Sequence, residues 1–225
     1  MNGGRDEADE VEVVFVCTAN RGRSPLAEHL LRQRVGGLPV RIRSRGVLTV
    51  GPAPALSGIV EAGRALGIEL DAHRASALVA GELDSADLVI GFEPSHTAAA
   101  VVDGGADRDR VFTLGELAGL LDEHTIVPLG DDRARVEATL ARVNARRAGN
   151  DPFAASAIDD PLGGSPQAVA RVAREIASGV DRLAAGLFAV ASSSTRPEGP
   201  KRAAWRRLRW RPGRRRDGRS GRPSV

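Results

Sequence analysis

Val11-Glu12-Val13-Val14-Phe15-Val16-Cys17-Thr18-Ala19-Asn20-Arg21-Gly22-Arg23-Ser24-Pro25-Leu26-Ala27-Glu28-His29-Leu30-Leu31 passes from a β-branched run, through a polar turn, into an amphipathic run. Residues 11–17 have the composition of a strand, and Leu26, Leu30 and Leu31 share one face of a helix predicted over 24–34. The turn holds the chain's single cysteine in a C-x5-R-S spacing. Five residues between Cys17 and Arg23 let the backbone of Thr18, Ala19, Asn20, Arg21 and Gly22 curl around one tetrahedral anion. Arg23 then closes the ring with a two-pronged contact to its oxygens. A helix starting near Ser24-Pro25 aims its first N–H groups at the same point, and proline suits a first turn. Those dipoles and Arg23 favour the thiolate form of Cys17, a nucleophile. A buried structural cysteine with an arginine nearby by chance is the competing reading; the flanking strand and helix, with Asn20 and Gly22 available for unusual backbone angles, favour the loop.

Outward from this segment the chain alternates. Strands are expected at 40–47, 86–92 and 110–114. Helices are expected at 57–66 (closed by Gly67), from His96 to Val102, at 131–148, and at 168–189, where Val169, Val172, Ile176, Val180, Leu183 and Leu187 recur at helical steps. This order implies an α/β fold: a doubly wound, mostly parallel four-stranded sheet flanked by helices, with ligands at the carboxyl ends of the strands. Cys17 ends the first strand, where that rule puts a site.

The 225 residues, 42% of them apolar, suffice for one domain with extensions. One cysteine leaves no intramolecular disulfide framework and no cysteine-rich metal site, and nothing calls for a metal or organic cofactor. No apolar run approaches the ~18 residues of a membrane span. Residues 1–10 are acidic and lack the order of a secretion signal, so the expected location is the cytoplasm. Three parts are expected: a disordered acidic segment at 1–10, a domain at 11–191, and a disordered Pro/Gly/Arg-rich tail at 192–225. Residues 196–225 hold 12 Lys/Arg and two acids, a net +10 within a chain whose total is +3, so the rest of the chain is acidic. Trp205 and Trp210 stand among those arginines. Beside a merely solvated tail, the cluster suits an anionic partner: a lipid surface, where the enzyme would sit peripherally, an acidic protein or a nucleic acid.

Several separated motifs agree on a family. Val-Phe-Val-Cys17 through Arg23-Ser24-Pro25-Leu26-Ala27-Glu28 resembles the N-terminus of the low-molecular-weight protein tyrosine phosphatases, and the resemblance extends over about residues 11–190. Ser44-Arg45-Gly46-Val47 stands where that family has Ser-Ala-Gly-Thr, and His73-Arg74-Ala75-Ser76 matches its His-x-Ala-Arg region. Asp87-Leu88-Val89-Ile90 matches its Asp-Leu-Ile-Leu strand, and Asp160-Pro161 its late Asp-Pro loop. The expected activity is hydrolysis of a phosphomonoester, in a protein or a small molecule, through a phosphocysteine on Cys17. The leaving oxygen needs a proton, and Asp160, stiffened by Pro161, is the candidate acid and later base. Asp151-Pro152 is a second Asp-Pro, and Asp159 also competes. Ser24 can donate to the Cys17 sulfur or cap the helix. Asn20 tolerates a left-handed backbone; by resemblance its partners are Ser44 and His73, and His73 alone reads as a structural histidine. His29, His96 and His124 show no ligand spacing and receive no role.

Four departures bear on specificity. Ala19 replaces the family's usual glycine, and Gly22 its common second cysteine, which leaves Cys17 without a neighbouring thiol to pair with under oxidation. Arg21 stands where tyrosine phosphatases carry an aliphatic residue and protein-arginine phosphatases a threonine. Leu162 replaces the aromatic after Asp-Pro. Phosphotyrosine and phosphoarginine therefore both stay open. The rival readings are an arsenate reductase using an external thiol, though Arg23-Ser24-Pro25 differs from the Arg-Ser-Gln of reductases, and a phosphate- or phosphoprotein-binding module without turnover.

Overall fold

The computed structural model describes residues 10–122, 124–127, 131–147 and 157–189. Four strands, β1 (Val11–Cys17), β2 (Val40–Gly46), β3 (Leu88–Gly91) and β4 (Val111–Thr113), form one sheet in the order β2-β1-β3-β4, every pair parallel. β1 has a strand on each side and every one of its residues is buried, which is why it reads as an almost continuous apolar run. Its pleat divides the core. Val11, Val13, Phe15 and Cys17 pack with Leu26, Leu30 and the long final helix, while Val14 and Val16 pack with Val89, Ala100 and Val111.

β2 lies at the sheet edge and alternates, with Ile42 and Ser44 buried between arginines. Arg43 pairs with Glu12 and Glu82, and Arg45 with Glu82, so the edge is covered by a charged ladder. Its register sets Gly46 opposite Cys17, which brings the carboxyl ends of β1 and β2 level.

The helices are α1 (Arg23–Val35), α2 (Ser57–Ala65), α3 (Pro94–Val102), α4 (Leu114–Leu120), α5 (Asp132–Arg147) and α6 (Pro166–Phe188). α6 packs against α1, α2, α4 and α5. Ser165 caps it, accepting from Ala168 N at 3.2 Å, and all six expected core positions are buried.

The sequence reading needs four corrections. α1 starts at Arg23 with Gly22 as its N-cap and no side-chain cap, so Ser24 is not a capping residue. α3 starts at Pro94 rather than His96, because proline is preorganised for a first helical position. β3 is shorter than expected. Leu114 does not extend β4 but opens α4, where Thr113 and Glu116 form a reciprocal capping box. Of the segments expected to be disordered, 1–10 and 192–225, residues 1–9 and 192–225 lie outside the described residues, as do the end of α5 at Ala148 and Asp151; Glu10 is described and pairs with Arg41 at 3.0 Å. Among those described, no helix is long and apolar enough to cross a membrane.

Candidate active site

The loop from Cys17 to Arg23 is held by its carbonyls. Val47 N donates to Cys17 O at 2.9 Å, Leu48 N to Thr18 O at 2.8 Å, and Leu56 N to Arg21 O at 2.9 Å. Among the described residues, none of the amides of Thr18, Ala19, Asn20, Arg21 and Gly22 donates to a protein acceptor. A protein rarely leaves five consecutive N–H groups unmatched unless water or a ligand takes them. Such a run of donors at the mouth of a helix is an anion cradle.

Asn20 fixes the curl. It is the loop residue with positive φ (52°), a conformation asparagine tolerates, and Ala19 and Gly22 need none. Its Nδ2 donates to Ser44 Oγ at 2.7 Å and to Ser24 Oγ at 3.0 Å, and its Oδ1 accepts from Ser76 N at 2.8 Å. His73 Nε2 donates to the Asn20 carbonyl at 2.7 Å, the structural part expected of it. Ser44 in turn donates to Glu28 Oε2. Gly46 lies so near that an added Cβ would stand 2.8 Å from the Ala19 carbonyl carbon and the Asn20 nitrogen.

Cys17 Sγ lies 3.0 Å from Ser24 Oγ, so the hydroxyl is placed to donate to a thiolate. Arg23 is 2% exposed. Its Nη1 donates to Ile158 O at 2.9 Å and reaches Glu93 at 3.4 Å; its Nη2 donates to Thr18 Oγ1 at 3.1 Å and to Asp160 Oδ2 at 2.7 Å. Asp160, with Oδ1 also accepting from Leu162 N at 2.9 Å, is half-exposed. A cavity of about 90 Å³ is lined by the loop, Arg23, Leu56, Asp160 and Leu162. A groove of about 530 Å³ between α2 and the start of α6 continues from it past Leu56 and Leu162; it holds no comparable set of polar groups. The chemistry belongs to the smaller space.

The structure thus brings together every site residue expected from the sequence, and adds His96 and Glu93. Buried His96 accepts from Phe92 N through Nδ1 at 3.3 Å, so Nε2 carries the proton and lies 3.1 Å from both Thr18 Oγ1 and Glu93 Oε1. Burial, reinforced by the Arg23 guanidinium, pushes its pKa down to about 4. It is a neutral donor that holds the Thr18 hydroxyl against Arg23. Sequence spacing looked for metal ligands and missed it. The available signal was that the β3–α3 turn, like the β1–α1 turn, must emerge at the carboxyl edge of a parallel sheet. Glu28, His29 and His73 form a second cluster, each offering a ligand atom within 4.8 Å of the others.

Comparison with known proteins agrees with this geometry. The family model for low molecular weight phosphotyrosine protein phosphatase matches residues 12–150. The protein-arginine-phosphatase of Bacillus subtilis is 38% identical over 108 residues, covering 47% of this chain and 71% of that protein. The low molecular weight protein-tyrosine-phosphatase Etp of Escherichia coli is 33% identical over 106 residues, covering 46% and 69%. The crystal structure of a YwlE mutant from Bacillus subtilis superposes with a TM-score of 0.59 at 28% identity, covering 80% of this chain and 99% of that one. The chain is a phosphatase and belongs to the low molecular weight phosphotyrosine protein phosphatase family.

Proposed function

We propose that the chain hydrolyses phosphotyrosine in proteins, through a phosphocysteine on Cys17 with Asp160 as general acid and then base. The unmatched amides from Thr18 to Gly22, in the loop that follows the cysteine, carry this reading. They and Arg23 hold the non-bridging oxygens while the Cys17 thiolate attacks phosphorus; the S–P bond forms and the bond to the tyrosyl oxygen breaks. The incoming phosphoryl group replaces Asp160 as partner of Arg23 Nη2, which frees the carboxyl to carry a proton to the leaving phenolate. Water then attacks phosphorus and gives its proton to Asp160. The S–P bond breaks, inorganic phosphate leaves, and the Ser24 hydroxyl steadies the returning thiolate.

Two features favour a tyrosyl leaving group. Leu56 and Leu162 give the mouth of the cavity apolar walls for an aromatic ring. Arg21, whose Nε donates to Pro54 O at 2.8 Å, also lines the cavity, and its charge opposes a substrate whose leaving group is itself a guanidinium.

Phosphopeptides of one sequence carrying phosphotyrosine, phosphoarginine or phosphoserine test this. Phosphotyrosine is expected to lead in kcat/KM by at least about tenfold; a lead for phosphoarginine overturns the assignment. Asp160→Asn is expected to slow aryl phosphates with poor leaving groups about 100-fold or more and those with good ones far less, because only the former need the proton. If Asp151→Asn gives that pattern instead, the acid is misassigned.

The basic tail supports a finer statement: that this enzyme works in the cytoplasm at anionic membrane surfaces. Each basic residue near such a surface contributes about 1 kcal/mol at best. Vesicles containing phosphatidylserine should bind the full chain, and added salt should release it. Binding to nucleic acid but not to vesicles would reject the membrane.

A further inference from the structure

We propose that Glu28, His29 and His73 bind a divalent transition-metal ion, with Zn²⁺ the best fit, and that the ion braces Asn20 without entering the chemistry at Cys17. Two imidazoles and one carboxylate, with water as a fourth ligand, are a complete zinc set, and the same nitrogens also suit Co²⁺. The three ligand atoms lie within 4.8 Å of one another. Ligands at ~2.0–2.2 Å around a tetrahedral ion stand about 3.4 Å apart, so side-chain rotations of about an ångström close the set.

The surroundings are those a metal site uses. Glu28 and His29 stand on α1, and His73 on the segment after α2, so the ion would join two parts of the fold. His73 donates Nε2–H to the Asn20 carbonyl, which fixes its tautomer and leaves the lone pair on Nδ1 as its ligand position. The Glu28 carboxylate accepts from Ser44 on one oxygen and from Arg32 on the other, which orients it and leaves lone pairs over. Half-buried His29 makes no hydrogen bond among the described residues, and the phosphatase chemistry gives it nothing to do. Arg32 opposes a cation, but its side chain is half-exposed and can turn to solvent. Its charge sets the expected affinity in the micromolar range rather than lower.

The path from the ion to the loop is short. Ser44, which donates to Glu28, accepts from the Asn20 amide, and His73 donates to the Asn20 carbonyl. One of the three ligands therefore touches the residue whose left-handed backbone sets the curl of the cradle, and a second reaches it through Ser44.

The test uses the untagged full chain as Cys17→Ser, so that the active-site thiol does not compete for metal. Calorimetric titration with Zn²⁺ should give one ion per chain with Kd between about 1 and about 50 μM, and Co²⁺ should give the d–d absorption of a four-coordinate N/O site. His29→Ala in that background should weaken Zn²⁺ binding at least about tenfold. With Cys17 intact and chelator present, the same substitution should leave aryl-phosphate turnover within about threefold. Unchanged Zn²⁺ affinity in His29→Ala, or no binding below about 1 mM by Cys17→Ser, overturns the proposal. Should His29→Ala misfold, imidazole resonances decide with Cys17→Ser alone: Zn²⁺ should shift those of His29 and His73 and leave those of His96 in place. A shift confined to other histidines overturns the site.

Discussion

Arg23 is an ion almost wholly removed from water, a placement that costs several kcal/mol unless partners offset it. Ile158 O, Thr18, Glu93 and Asp160 take its N–H groups, and its guanidinium lies 6.0 Å from the Phe92 ring centroid. His96 stays neutral first because burial disfavours its charged form, and then because the same guanidinium stands beside it. Its pKa is about 4 in the folded chain and near the ordinary 6.5 in the unfolded one. Between those values the unfolded state binds more protons, so stability falls as pH drops through that window, by at most about 3 kcal/mol. His96→Gln keeps an acceptor and a donor but does not titrate. Its melting temperature, followed by calorimetry from pH 7 to pH 4, should fall less steeply than that of the wild type; an equal slope would show that His96 stays unprotonated or that other groups govern the acid limb. At this scale Cys17, Arg23 and Ser24 were legible because the chemistry dictates their spacing. Glu93 and His96 were not, since nothing within their own stretch of chain announces what lies across the sheet edge.

Among the elements, β1 and α1 were read from the sequence almost to the residue, because β1 is apolar and buried on both faces, and Leu26, Leu30 and Leu31 recur at helical steps on the buried side of α1. α4 was missed because it follows a three-residue strand with no loop between them. The Thr-x-x-Glu capping box at 113–116 was there to be seen, but Val111, Phe112 and Leu114 read as one apolar run. Gly46 shows what strand register does for the site. Because it pairs with Cys17 at the last rung of β1 and β2, the loop backbone passes directly over it. Gly46→Ala has to displace the backbone of Ala19 and Asn20, so it should destabilise the fold by about 1–3 kcal/mol. It should also lower kcat/KM on an aryl phosphate at least about tenfold, since misplaced donors lose transition-state binding. Activity near the wild-type level would show that the cradle gives way without harm. The match of 44–47 to the family's Ser-Ala-Gly-Thr segment had flagged the position, and the register supplies the reason.

At the scale of the whole molecule, the groups proposed to be catalytic, Cys17, Arg23 and Asp160, all fall before Ser194, where the second unit of the chain begins. Ending the chain after Ser194 should leave turnover of a small soluble aryl phosphate within about threefold, below about 0.7 kcal/mol in the barrier. It should also abolish binding to anionic vesicles. Loss of most turnover would mean that the tail takes part in the site. Arg23 meets Ile158 and Asp160 across separations of 135 and 137 residues. Contacts that distant close late, since the intervening chain must first give up its freedom. A nascent chain that has reached residue 150 already carries the whole cysteine–arginine loop, yet the arginine still lacks the carbonyl and the carboxylate that hold it in place. Such an enzyme should stay silent during synthesis and begin to act only once the returning segment has docked. The appearance of turnover is then a clock for completed folding.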